Sequence, residues 1–210
     1  MGVDVSAKGI AGRAILIDWY SWAQQQKREV DALSDQAIPF DELMEALRHQ
    51  GLTPDDIRAG DILFIRSGYI AQYESLSDER RGELHELYKT EKPQNIGIEA
   101  SKEFLKFLWD HKIAAVAGDS RAFEAWPCRN LEWHLHEWLL AGWGLPIGEL
   151  FDLEELSKLA AQKGRYTFFL ASSPMNVRYA EVLLLFQAPT NELIQVPGAV
   201  ASPPNALAFL

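Results

Sequence analysis

Residues 13–18 read Arg-Ala-Ile-Leu-Ile-Asp, a short apolar run that follows Gly12 and ends at a carboxylate. A run of this length, rich in large aliphatic side chains, is typical of a buried strand. Similar runs occur at residues 62–65, 113–117 and 166–171, and longer segments with helical periodicity separate them. The alternation of strands and helices predicts an α/β fold.

The composition is that of an ordinary globular protein, and the length predicts a single domain over residues 1–210. Lys and Arg number 20 against 30 Asp and Glu, which gives a formal net charge of −10. This acidic balance argues against nucleic acid or an anionic membrane surface as the partner. No apolar run approaches the ~20 residues of a membrane span. Cys128 is the only cysteine, which excludes a disulfide within the chain and predicts a reducing, cytoplasmic location.

Two of the histidines, His134 and His136, form a His-x-His pair. The leucines around them predict a helix over residues 131–141, and on a helix side chains two positions apart point about 200° away from each other. We therefore expect that only one of the two imidazoles serves a site. The sequence has no His-x-x-x-His pair, no Walker loop and no Gly-x-Ser-x-Gly turn, so it gives no support to a helical zinc protease, a nucleotide-binding loop or a nucleophile-elbow hydrolase.

Two carboxylates stand out by their position. Glu149 follows a Pro-Ile-Gly turn in an otherwise apolar run, where an ionised group needs a partner or a metal. Asp119 follows the strand predicted at 113–117, at the place where α/β proteins usually hold their chemistry. For each residue, a satisfied structural role is an equal alternative.

Several tryptophans lie close to His136 in the sequence. A wall of indole rings suits an aromatic or apolar ligand, and a tryptophan-rich core or a buried interface is the alternative. The tryptophans concerned are Trp126, Trp133, Trp138 and Trp143.

Two neighbouring segments are the most distinctive of the chain: Leu-His-Glu-Trp-Leu-Leu at residues 135–140 and Trp-Gly-Leu-Pro-Ile-Gly-Glu at 143–149. With them, the chain resembles the Putative cyclase family, the metal-dependent hydrolases that include bacterial-type kynurenine formamidase. It is most similar to the longer branch common in fungi. Further matching segments follow the family order, at residues 9–18, 60–68, 114–120, 123–127 and 201–208.

The resemblance implies a swivelling β/β/α type of fold and a divalent metal, usually zinc or manganese. It implies that His136 and Glu149 are metal ligands and that Asp119 is a polar residue near the site. The aromatic cluster, with Trp126, Trp138 and Trp143, would line the substrate pocket. The activity it implies is hydrolysis of an amide or lactone carbonyl in a small molecule, as by an arylformamidase of tryptophan catabolism, and the assembly it allows is a homo-oligomer.

The chain departs from the family pattern at two places. The main metal motif of the family, H-x-G-T-H-x-D, would precede the strand at 13–18, and the chain begins just before that strand. We therefore expect an N-terminally truncated fold, a metal that is held weakly or not at all, and weak or no catalysis. The segment 178–195 separates Val177 from the turn at 196–198, and we interpret it as an insertion, such as a retained intron.

Two other functions remain open. One is a non-catalytic binding protein that keeps the pocket without the metal motif. The other is a metal-free cyclase or isomerase of secondary metabolism, in which His136 with Asp119 or Glu149 would form the catalytic acid/base pair.

Overall fold

The computed structural model describes residues 9–174, 177–178, 193–194 and 204–210. Most of the predicted insertion at 178–195 therefore lies outside the described residues. Its interpretation as a retained intron stays a prediction. The strands are, in chain order, β1 (Ile10–Ile17), β2 (Ala37–Ile38), β3 (Ile62–Ile65), β4 (Gly97–Ile98), β5 (Ala115–Gly118), β6 (Ile147–Gly148), β7 (Thr167–Pro174), β8 (Val177–Arg178), β9 (Leu193–Ile194) and β10 (Pro204–Phe209). The α-helices are α1 (Trp19–Gln25), α2 (Phe40–His49), α3 (Tyr69–Ser75), α4 (Asp78–Leu87), α5 (Lys102–Asp110) and α6 (Glu154–Lys163).

The described residues belong to two compact units. The larger unit consists of residues 13–168 with Leu210, and the described residues of the smaller unit are 9–12, 169–174, 177–178, 193–194 and 204–209. The single domain predicted over residues 1–210 stays a prediction. None of the described helices is long and apolar enough to cross a membrane.

A parallel sheet of β1, β3, β5 and β6 lies at the centre of the larger unit. Its register places Leu16 beside Phe64, and Phe64 beside Ala117. The second half of β1 and all of β3 are almost completely buried, as expected for strands with apolar side chains on both faces. The buried strands predicted at 13–18 and 62–65, and the α/β class, are confirmed.

Helices α2 and α5 direct apolar faces into the core of this unit. Leu43 and Leu47 of α2 are completely buried, as is Phe104 of α5. The Oγ of Ser101 accepts a hydrogen bond from the backbone N–H of Phe104 and so caps the first turn of α5. Gly164 ends α6 in the left-handed backbone conformation that favours glycine at a helix C-terminus.

A buried ion-pair network connects the ends of β1 and β3 to α6. Arg66 donates to both carboxylate oxygens of Glu154, at 2.8 and 2.7 Å, and to Oδ1 of Asp18 at 2.9 Å. Asp18 also accepts hydrogen bonds from the backbone N–H and the hydroxyl of Ser21 and from the hydroxyl of Ser157. The side chains of Arg66 and Asp18 are only 7% and 3% exposed. Each buried charge therefore has its partner within the network.

The smaller unit contains an antiparallel pair and an apolar surface. Strands β7 and β10 pair so that Phe209 lies opposite Phe169 and Leu207 opposite Ala171. The side chains of Phe169, Leu207 and Phe209 are each more than half exposed. Strands β8 and β9 form a separate antiparallel pair.

Candidate metal centre

Polar residues follow the carboxyl ends of the parallel strands in the larger unit. Asp18 follows β1, Arg66 follows β3, Asp119 follows β5 and Glu149 follows β6. Because these strands are parallel, their carboxyl ends meet at one edge of the sheet, which is where open α/β sheets usually bind ligands. Two of the residues selected from the sequence, Asp119 and Glu149, therefore lie at the same edge.

Asp119 is completely buried, and its carboxylate is fully engaged by the loop after β3. It accepts hydrogen bonds from the backbone N–H of Ser67 at 2.6 Å, from the hydroxyl of Ser67 at 2.7 Å and from the backbone N–H of Gly68 at 2.8 Å. Burial raises the pKa of this carboxyl group, and these hydrogen bonds act in the opposite direction. The carboxylate holds the loop in place, and a catalytic role for Asp119 stays a prediction.

Glu124 lies at the centre of a cluster that it forms with His134 and His136, although no pattern in the sequence pointed to it. Its side chain is completely buried. One oxygen, Oε1, lies 2.8 Å from Nε2 of His134 and 3.0 Å from Nδ1 of His136. Backbone bridges from Glu124 to Ile98 of β4 and from Trp126 to Asn95 hold this segment in position. The signal in the sequence was a single carboxylate inside the apolar segment 123–127.

The helix predicted over residues 131–141 is interrupted at His134, and the conclusion that the two imidazoles diverge is wrong. A short 3₁₀ turn at Leu131–Trp133 is followed by a π-helix at Glu137–Trp143. Between them the backbone of His134 has ψ 110°, which is not helical. This break turns His134 and His136 toward the same carboxylate, with their ring centroids 6.0 Å apart.

His136 bridges two carboxylates. Its Nδ1 lies next to Glu124, and its Nε2 lies 3.1 Å from Oε1 of Glu149. That oxygen also accepts a hydrogen bond from the backbone N–H of Phe123 at 2.9 Å. Hydrogen bonds to Glu124 and Glu149 raise the pKa of His136 to about 9. Without a cation, the imidazole is therefore protonated at neutral pH, and a metal that uses it must displace that proton.

Several buried polar atoms of the cluster lack a hydrogen-bond partner among the described residues. They are Oε2 of Glu124 and both ring nitrogens of His134. Nε2 of His134 lies 2.8 Å from Oε1 of Glu124 and Nδ1 lies 3.4 Å from Oε1 of Glu137, but neither contact forms a hydrogen bond. Unpaired buried polar atoms are rare, because each costs on the order of 1–3 kcal/mol. In a cluster of this kind they indicate atoms arranged for a ligand that binds them.

The donor set fits a divalent transition metal. The ligand atoms of Glu124, His134 and His136 all lie within 4.8 Å of one another. Two imidazoles and one carboxylate form a ligand set of catalytic zinc sites, which leave a further position for water or substrate. The family resemblance implied two ligands, His136 and Glu149. The structure adds Glu124 and His134 as candidate ligands beside His136.

The tryptophans assigned to a substrate pocket lie in different surroundings. The ring of Trp126 is 6.3 Å from that of His134, so Trp126 borders the cluster. Trp138 packs between Trp133 and Trp143 along the π-helix, in a row of indoles that continues to Trp109. The assignment of Trp126, Trp138 and Trp143 to the substrate pocket stays a prediction.

Gly97 of β4 supports the cluster by a close backbone approach. A Cβ added at Gly97 would lie 2.3 Å from the carbonyl carbon of Glu124 and 2.5 Å from the backbone nitrogen of Ala125. We expect Gly97→Ala to displace this backbone and to lower the free energy of unfolding by roughly 1–3 kcal/mol. Chemical denaturation followed by circular dichroism measures this change.

Gly82 provides the matched control for this substitution. It lies on the exposed surface of α4, and a Cβ there would meet no atom within 4 Å. Gly82→Ala should raise the free energy of unfolding by roughly 0.5–1 kcal/mol, because alanine favours the helix. Equal stability of the two alanine variants would contradict the close approach at Gly97.

An α/β fold with a cluster of Glu124, His134 and His136 at the carboxyl ends of its parallel strands defines a candidate metal-binding protein. The family model described as Putative cyclase matches residues 2–125, more than half of the chain. The chain therefore belongs to this cyclase family, as its resemblance indicated. The matched range contains Asp119 and Glu124 and ends before His134.

Solved structures agree with this family. The crystal structure of a novel cyclase aligns with a TM-score of 0.72 at 28% identity, over 100% of this chain and 56% of that one. An isatin hydrolase bound to the product analogue thioisatinate aligns with a TM-score of 0.56 at 15% identity, over 95% of this chain and 60% of that one. The cyclase-type fold is thereby confirmed, and the chain spans less than two thirds of the length of either protein. No protein of curated function matches it in sequence.

Proposed function

We propose that the chain forms part of a metal-dependent hydrolase that acts on amide or lactone carbonyls of small molecules, in the manner of an arylformamidase. The observation that carries the proposal is the buried cluster in which Glu124 Oε2 and both ring nitrogens of His134 lack hydrogen-bond partners. Membership of the cyclase family and the likeness in fold to an isatin hydrolase support it.

In this proposal Glu124, His134 and His136 hold a zinc or manganese ion. Such a cation supplies Lewis acidity, since it lowers the pKa of a bound water and polarises a carbonyl oxygen. The buried carboxylate of Glu124 contributes the negative charge, and the two imidazoles contribute neutral nitrogen ligands once His136 has lost its proton. Trp126 borders the cluster, which supports a contact between its indole and an aromatic substrate in this proposal.

Glu149 has one of two roles in this proposal. The family resemblance assigns it as a metal ligand. Its Oε1 already contacts His136 and the backbone of Phe123, whereas the side chain as a whole is about a third exposed. A carboxylate in this position orients the imidazole and can accept a proton from an attacking water.

A second candidate function rests on the pair formed by His136 and Glu149. An imidazole whose pKa is raised to about 9 beside a partly exposed carboxylate is an acid/base pair that needs no metal. A metal-free cyclase or isomerase would use this pair. A non-catalytic binding protein would use neither the pair nor a cation.

Metal analysis of the full chain separates these functions. We expect about one zinc or manganese ion per chain, and hydrolysis of N-formylaniline that is lost on chelation and returns in proportion to added metal. His136→Ala should lose the ion, and the exposed His85→Ala on α4 should retain it. A wild-type chain that binds neither zinc nor manganese would overturn the proposal.

Glu149→Gln distinguishes the two roles of that residue. Loss of the metal ion in this variant would identify Glu149 as a metal ligand. Retention of the metal ion, with kcat lowered roughly 10²–10⁴-fold, would identify Glu149 as the proton acceptor.

A further inference from the structure

A groove of about 420 Å³ lies in the larger unit, apart from the metal cluster. This volume is within the range of small-molecule sites. Two indoles and one lysine form its walls, and apolar residues form most of the rest. The lining residues are Leu108, Trp109, Lys112, Ile113, Ala114, Trp143, Gly144 and Leu145.

The groove lies at the amino edge of the parallel sheet. Ile113 and Ala114 directly precede β5, and Leu145 precedes β6. The candidate metal centre lies at the opposite edge, where Glu149 follows β6. The π-helix at Glu137–Trp143 runs from one region to the other, with His136 before its first residue and Trp143 as its last. The groove is therefore a site of its own.

The two indoles form an aromatic wall that a planar ring can contact. The ring centroids of Trp109 and Trp143 are 5.2 Å apart, with an angle of 54° between the planes. Trp109 is 64% exposed at the end of α5, although tryptophan is usually well buried. Below the indoles, Leu108 and Leu145 are buried and give the groove an apolar floor. Aromatic rings gain from such surfaces through burial and through offset or edge contacts.

The polar side chains of the groove are all donors. Lys112 offers an ammonium group, and Trp109 and Trp143 each offer an indole N–H. No carboxylate, amide or hydroxyl side chain lines the groove. Lys112 makes no ion pair among the described residues, and the nearby Asp110 is paired with Lys106. A complementary ligand must therefore supply acceptors, preferably with a negative charge.

The backbone of Lys112 is a second, independent feature of the groove. Its φ of 53° is in the left-handed region, and it follows His111, the C-cap residue of α5. Gly164 occupies the equivalent position after α6, with φ 59°, as is usual at helix C-termini. A lysine there is strained where glycine would not be, and such strain is found most often at sites that need the side chain.

We infer that this groove binds a planar aromatic anion of the aryl carboxylate class. The ring stacks against Trp109 and Trp143, and the carboxylate pairs with the ammonium group of Lys112. This inference does not depend on the proposed metal-dependent hydrolysis, because the two sites lie at opposite edges of the sheet.

Calorimetric titration of the full chain with 2-naphthoate tests the inference. The buffer contains EDTA, so that the carboxylate cannot bind to a metal in the other site. We expect 2-naphthoate to bind at one site per chain and the neutral 2-naphthamide to bind at least tenfold more weakly. Trp109→Ala should weaken 2-naphthoate binding at least tenfold.

Lys112→Gly gives a result that a structural role alone would not produce. It should weaken 2-naphthoate binding roughly tenfold while raising the melting temperature, because glycine removes the backbone strain. Lys27→Gly is the matched control, since Lys27 also has a positive φ, 56°, and does not line the groove. It should raise the melting temperature and leave binding unchanged.

Three outcomes would overturn the inference. The first is equal affinity for 2-naphthoate and 2-naphthamide, or no binding of either. The second is binding that His136→Ala abolishes and Trp109→Ala does not, since the ligand then occupies the other site. The third is a dimer that Trp109→Ala converts to a monomer in sedimentation, since a second copy of the chain then covers the groove.

Discussion

Glu124→Gln is expected to lower the affinity of the chain for zinc roughly a hundredfold or more. The substitution keeps the size of a completely buried side chain and removes its charge. Glutamine offers one weak acceptor where the carboxylate offered two strong ones, and the contacts to His134 and His136 lose their electrostatic partner. Calorimetric titration with zinc, with metal content after dialysis as a second measurement, gives the change.

The exposed Glu45→Gln on α2 is the control for the loss of one negative charge. It should bind zinc as the wild-type chain does, because surface charges contribute little at a distance in salt. If Glu124→Gln also bound zinc with unchanged affinity, Glu124 would not be a ligand. The ligand set of His136 and Glu149 implied by the family resemblance would then be the alternative, which Glu149→Gln tests.

Arg66→Met is expected to lower the free energy of unfolding by about 3–5 kcal/mol. Methionine fills much of the space of the arginine stem but leaves Asp18 and Glu154 without the cation between them. Asp18 is almost completely buried, so water cannot replace the lost partner. The guanidinium also lies over the ring of Tyr20, 5.0 Å from its centroid, and that contact is lost as well. Urea denaturation with linear extrapolation measures the change.

Two further variants identify the cause of this loss. Arg66→Lys keeps the charge but cannot reproduce the two-pronged contact with Glu154, so its stability should lie between those of the wild type and Arg66→Met. Arg58→Met removes an exposed arginine that has no ion pair among the described residues. We expect it to change the free energy of unfolding by no more than about 0.5 kcal/mol. A loss below about 1 kcal/mol for Arg66→Met would show that the network is not needed for stability.

The parts of the fold that the sequence predicted are those set by local chemistry. The runs at 13–18 and 62–65 are apolar on both faces, and a buried strand is what such a run forms. The strands β2, β4 and β6 have two residues each, and two residues carry no periodicity.

The candidate site was predicted only in part, for two physical reasons. Glu149 stood out because an ionised residue in an apolar context needs a partner, and His136 was implied by the family resemblance; the structure does bring the two together. His134 was set aside because the leucine spacing favoured a regular helix, which the backbone at His134 interrupts. Glu124 reaches the cluster through the bridge to Ile98, a contact between distant residues that no local pattern reveals.

The ion-pair network around Arg66 also determines when the chain can finish folding. Arg66 meets Glu154 across 88 positions of sequence, and Asp18 meets Ser157 across 139. During synthesis, Asp18 and Arg66 leave the ribosome long before α6 exists, so they must remain hydrated until it arrives. The sheet edge that carries the candidate metal centre therefore closes only after α6 has been made. Contacts of such long range slow folding, and the exposed interval is when the nascent chain is open to aggregation or to chaperones.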